Sequence, residues 1–108
     1  MRIEKELIQD YFLFLTSTEV NGSFEPSLFD TGIDAMSAKA NKDGNIDILC
    51  LVFDYLISHP EKRSIVYKDA EYDMNDQEFV ELMKHTFMRM FPGDFISEKG
   101  QAFKVEFF

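Results

Sequence analysis

Apolar residues recur at helical spacing from the start of the chain. Ile3, Leu7, Ile8, Tyr11, Phe12 and Leu15 share one side of a helical period, which predicts an amphipathic helix over 2–16. Its end, Tyr11-Phe12-Leu13-Phe14-Leu15, is apolar at every position and is expected to be almost wholly buried. Thr16 to Pro26 is a connector whose strongest turn signal is Asn21-Gly22, with room for a tiny hairpin between Val20 and Phe24. Residues 27–44 carry no clear period; small residues gather around Ala35-Met36-Ser37-Ala38, and Asp43-Gly44 marks a turn.

From Asn45 the pattern clears. Asn45 can cap a helix, and Ile46 to Ser58 is apolar on nearly every side apart from Asp47 and Asp54. A length of about twelve residues favours a central buried helix over a strand, and His59-Pro60 stops it. Ile65-Val66-Tyr67 is a short extended run or a single turn. Asn75 and Glu78 form a capping box, followed by a stripe of Phe79, Met83, Phe87 and Met90 that predicts a helix over 76–90, ended by Pro92-Gly93. Phe103, Val105 and Phe107 alternate with Lys104 and Glu106 as in a half-buried strand, and Phe95-Ile96 can pair with it as a hairpin.

These elements predict an α+β fold over residues 1–108: a helix-dominated single domain with three main helices and a small C-terminal β-strand or hairpin. The expected core is Leu7, Tyr11, Phe12, Leu15, Leu49, Val52, Phe53, Leu56, Phe79, Leu82, Met83, Phe87, Phe103 and Val105. Met88 lies off the stripe and is the best methionine for an exposed contact.

Composition sharpens this picture. Twenty acidic side chains stand against eleven basic ones, a net charge of −9, alongside twelve phenylalanines. Acid with so much Phe describes a folded domain with a negative skin rather than a disordered chain. The single Cys50 sits in the apolar run Ile48 to Phe53, so it is read as core filler in a reducing compartment. The first residues lead into no signal-peptide pattern, and no apolar run approaches the roughly twenty residues of a membrane span, so a cytoplasmic protein without a membrane role is expected.

The acid is concentrated. Between Lys5 and Lys39 lie Glu6, Asp10, Glu19, Glu25, Asp30 and Asp34 with no base; between Lys68 and Lys84 lie Asp69, Glu71, Asp73, Asp76, Glu78 and Glu81. Such windows either keep a Phe-rich domain in solution or present a field to a basic protein partner. Direct nucleic-acid binding is disfavoured, because phosphate affinity rests on Lys and Arg.

Signatures of chemistry are thin. Asn41-Lys42-Asp43-Gly44-Asn45-Ile46-Asp47 resembles the middle of an EF-hand loop, but that register puts Lys39 and Cys50 where calcium needs carboxylates. Tyr67 to Glu78 imitates the end of such a loop, with Tyr72 where the turn needs Gly. His59 and His85 lack the spacing of a zinc pair; His59 is expected to terminate a helix and His85 to lie on the outward side of 76–90. No metal, no cofactor and no enzymatic activity are expected.

His59-Pro60, four variable residues, and then Ile65-Val66-Tyr67, with a capped helix starting near Glu78-Phe79-Val80, resembles part of the immunity proteins that neutralise colicin- and pyocin-type nucleases. The resemblance covers about residues 59–80. It implies an acidic inhibitor that binds a basic nuclease domain, with Tyr67 matching the first of the family's two tyrosines and the acids of 47–61 matching its contact helix. Lys68 stands in place of the second tyrosine.

Two readings of function follow. The first is a non-enzymatic binding protein that inhibits or masks a nuclease or another nucleic-acid-handling protein. Its contact surface would be Tyr67, Asp69, Glu71, Tyr72, Asp73 and Asp76, with carboxylates in a site built for phosphate. The second is an assembly subunit, a homodimer joined through the strand Phe103–Phe108. A small enzyme using acid–base carboxylates is the least favoured.

Overall fold

The computed structural model describes residues 2–16, 24–66, 74–93 and 105–108. Helix α1 (Lys5–Leu15) starts later than its apolar period predicts, because Arg2–Ile3 form a short strand, β1. Strand β1 pairs in parallel with β2 (Glu106–Phe107), placing Arg2 beside Glu106 and Ile3 beside Phe107. The backbone amide of Lys5 donates to the Phe108 carbonyl at 2.9 Å, and that of Phe108 donates to the Ile3 carbonyl at 3.1 Å. The C-terminal strand thus closes onto the N-terminal residues. Val105 is buried, Glu106 exposed and Phe107 half-buried, as the alternation predicted; Phe95-Ile96 and Phe103 lie outside the described residues.

The helix count is the main correction to the expected fold. Residues 27–44, without a clear period in the sequence, hold a 3-10 turn (Pro26–Phe29) and helix α2 (Asp30–Asp43). Its buried face is narrow: Gly32, Ile33, Met36 and Ala40. Two of these contribute almost no hydrophobic signal. Helix α2 ends where Gly44 adopts a left-handed φ of 76°; the Asn45 amide then reaches back to the Ala40 carbonyl at 2.9 Å and the Gly44 amide to that of Asn41 at 3.2 Å. This is a Schellman C-cap.

Helix α3 (Ile46–Ser58) is the central buried helix, with Leu49, Cys50, Val52, Phe53, Asp54, Tyr55 and Leu56 all buried. His59-Pro60 ends it, as expected, and a 3-10 turn (Pro60–Lys62) leads into a single helical turn, α4 (Arg63–Val66). Helix α5 (Asp76–Met90) begins with the predicted capping box: the Glu78 amide donates to the Asn75 side chain at 2.8 Å, and the Asn75 amide to Glu78 Oε1 at 3.2 Å. The molecule is therefore helix-dominated with a small two-stranded parallel sheet, but the described residues hold five helices rather than three.

One contiguous core gathers Ile8, Tyr11, Phe12 and Leu15 from α1, Ile33 and Met36 from α2, the apolar side of α3, and Phe79, Leu82, Met83 and Phe87 from α5. The stack of Phe12 on Phe53, with ring centroids 5.6 Å apart, ties α1 to α3. Every expected core residue among those described is buried except Leu7, which is half-buried. Cys50 fills the core as predicted, and Met88 is exposed. Among the described residues, no helix is long and apolar enough to cross a membrane.

Candidate interaction surface

Five of the six residues expected to contact a partner, Tyr67, Asp69, Glu71, Tyr72 and Asp73, lie outside the described residues. Asp76 is described. It opens α5 with its side chain 64% exposed, and its carboxylate sits 3.0 Å from the Arg63 guanidinium. The same guanidinium donates to the Met74 carbonyl at 2.6 Å. Arg63, on α4, therefore ties that turn to the residues leading into α5. Val66 and Met74 are both buried in the core.

A second charged cluster joins α2 to α5. Asp30 and Asp34 stand one turn apart on α2; His85 and Arg89 stand one turn apart on α5. His85 Nε2 lies 2.6 Å from Asp30 Oδ1, and Arg89 grips Asp34 with two hydrogen bonds of 2.9 and 2.8 Å while also approaching Asp30 at 3.4 Å. This fork holds the Asp34 carboxyl below its ordinary range and raises the Arg89 guanidinium in turn. His85, expected to face outward, is half-buried against Asp30. The matched four-residue spacings were present in the sequence, but nothing there said that the two helices meet.

The EF-hand-like stretch is a structural joint. Asp43 and Asn45 flank the C-cap of α2 and both reach Tyr11 of α1: the phenol donates to Asp43 Oδ2 at 2.8 Å, and Asn45 Nδ2 donates to the phenol oxygen at 3.0 Å. Asn45 occupies the N-cap position of α3, as predicted, but makes no side-chain cap bond there. Lys39 adds an ion pair with Asp43 at 3.0 Å, and this contact, ahead of the Tyr11 bond, holds the Asp43 carboxyl low. Burial raises the Tyr11 phenol. Among the described residues, no group of three His, Cys, Asp or Glu side chains is placed to hold a metal ion.

Clefts among the described residues include two that matter for binding. One, of about 360 Å³, is lined by Tyr55, Lys62, Ile65, Val105, Glu106 and Phe107, where α3 and α4 meet β2. Tyr55 stacks on His59 with ring centroids 4.3 Å apart, and His59 Nδ1 lies 3.1 Å from the Tyr55 carbonyl at the end of α3, so that imidazole acts in helix termination. The other cleft, of about 540 Å³, is lined by Asp10, Leu13, Phe14 and Lys39. It overturns the expectation of a wholly buried α1 end: Leu13 is 57% exposed and Phe14 40%. The physical reason is helical. Ile8, Tyr11, Phe12 and Leu15 occupy the core side, and residues 13 and 14 turn away from it.

The chain matches no protein-family model, and no curated protein or solved structure matches it either.

Proposed function

We propose that this protein is a small, acidic, non-enzymatic binding module that masks a basic protein partner, such as a nuclease or another nucleic-acid-handling protein. The observation that carries this reading is how charge is divided between internal pairs and the exposed surface. Lys39, Arg63 and Arg89 are held against Asp43, Asp76, Asp30 and Asp34. Glu4, Glu6, Asp10, Glu25, Asp47, Glu61 and Glu81 are exposed and stand outside the ion pairs of the described residues, against Arg2, Lys5, Lys42, Lys62 and Lys84. These ion pairs take up three bases and four acids, and the seven exposed acids outside them still outnumber the five bases. A net charge of −9 acting through such a surface accelerates encounter with a positive partner and sets its orientation.

In this reading the contact is centred on Tyr67, Asp69, Glu71, Tyr72, Asp73 and Asp76, between α4 and α5. Carboxylates take the places of substrate phosphates, and the two tyrosines supply the anchoring apolar area. The resemblance of residues 59–80 to nuclease immunity proteins supports the same class of partner. The Arg63 pair makes Asp76 a dual-purpose residue, so its removal needs its own control. Replacing Asp69, Glu71, Asp73 and Asp76 together by Asn or Gln is expected to abolish binding to the basic partner while the helical circular dichroism is retained. Asp76→Asn alone reports what the Arg63 contact contributes. Normal binding by the fourfold variant would show that these acids only keep the domain in solution.

A further inference from the structure

We propose that the cleft lined by Asp10, Leu13, Phe14 and Lys39 is a self-complementary face on which a second copy of this chain docks about a two-fold axis. This rests on different residues from the basic-partner reading and stands independently of it.

The cleft arises from the way α1 meets α2. At one end of the crossing the two backbones nearly touch: a Cβ added at Gly32 would lie 2.5 Å from the Leu15 carbonyl oxygen and 2.6 Å from that of Phe14. Ala35, one turn further along α2, is exposed and brings only a methyl group. Lys39 follows a turn later and lines the cleft. Leu13 and Phe14 consequently keep much of their apolar surface in water, beside one carboxylate and one ammonium group.

Charge identifies the occupant. A chain with net charge −9 repels its own copies, so an apolar patch ringed by acid would be protected from self-association. Among the described residues, this patch is lined by the carboxylate of Asp10 and the ammonium group of Lys39. In a two-fold interface, residue i of one copy meets residue j of the other and j meets i. Stacking two such faces through Leu13 and Phe14 brings Asp10 of each copy against Lys39 of the other, making two opposite-charge contacts at once. Lys39 already holds Asp43, but an ammonium group has three donors, and this one stays 46% exposed. Leu13 and Phe14 supply the affinity by leaving water, and the charge pairs at the rim set the register. The two α1–α2 pairs would form a four-helix contact. With only two apolar side chains per copy at its centre, the contact fits a weak, transient dimer.

The symmetry gives a specific test by analytical ultracentrifugation. Wild-type protein is expected to show a concentration-dependent monomer–dimer equilibrium. Asp10→Lys places lysine against Lys39, and Lys39→Asp places aspartate against Asp10, so each variant alone should weaken dimerisation at least about tenfold. Mixed together they regain both opposite-charge contacts, and the mixture should dimerise as wild type does. Leu13→Glu changes a side chain the fold leaves exposed and should abolish the dimer. It keeps the test decisive if Lys39→Asp disturbs the Asp43–Tyr11 joint. The proposal is overturned if the wild type stays monomeric up to about 500 μM, if Leu13→Glu dimerises normally, or if the mixed variants fail to associate while both remain folded. A monomer that takes up a hydrophobic dye at Leu13 and Phe14 would also overturn it, assigning the cleft to a small apolar ligand.

Discussion

Gly32 lies where α2 crosses the end of α1, and the absence of a side chain there is a packing requirement. Placing alanine in a helix usually gains up to about 1 kcal/mol over glycine. Here the added carbon would meet two backbone carbonyl oxygens within 2.6 Å, and backbone cannot rotate aside as a side chain can. Gly32→Ala is therefore expected to destabilise the fold by about 1–3 kcal/mol in urea unfolding; a gain in stability would mean that the helices do not approach so closely. A second residue-scale expectation concerns acid. The carboxyls of Asp34 and Asp43 are both held below the ordinary aspartate value of 3.8, by Arg89 and by Lys39 respectively. A depressed folded value means that each pair stabilises the fold above 3.8 and loses its contribution as pH falls through the folded value. Carbon-detected NMR titration should show both groups protonating below the ordinary range, and Arg89→Ala should return Asp34 to it while leaving Asp43 unchanged. Such contacts were poorly legible in the sequence. Asp30, Asp34, His85 and Arg89 show their four-residue spacings plainly, but a sequence separation of 55 between Asp34 and Arg89 conceals that they meet. Local pattern reports which residues share a face and not which faces touch.

The helices legible beforehand were those whose ends and faces both carried strong signals. For α5, the capping box and the stripe Phe79, Met83 and Phe87 act together, and the element runs from Asp76 to Met90 as predicted. Removing the cap isolates that contribution: Asn75→Ala should lower stability by about 1 kcal/mol, measured by chemical denaturation, with the rest of α5 intact. An unchanged midpoint would mean that packing alone sets the start of the helix. Helix α3 was legible for the opposite reason, being apolar all round and stopped by His59-Pro60. Helix α2 was not, because Gly32 and Ala40 face the core without a hydrophobic signature; only its end was marked, by the expected turn at Asp43-Gly44. A residue that packs by being small leaves little trace in a hydrophobic pattern. The N-terminal strand was missed for a related reason: two residues, Arg2 and Ile3, are too few to show alternation, and their pairing partner lies at the other end of the chain.

Across the whole molecule, packing and electrostatics occupy different residues. Phe12, Phe29, Phe53, Phe79 and Phe87 lie in the core, with apolar burial holding the four longer helices together. Among the described residues the acids stay at or near the surface apart from Asp54, which is buried in α3, and intramolecular ion pairs engage three of the bases. Such a surface should act through long-range attraction, which salt weakens because the Debye length falls from about 10 Å at 0.1 M to about 3 Å at 1 M. The most direct measurement is the association rate constant with the basic partner recovered from the native cell, followed from low to high ionic strength. The account predicts a partner of strongly basic isoelectric point and an association rate that falls steeply as salt rises, with dissociation changing much less. A rate indifferent to salt, or a partner as acidic as this chain, would contradict it.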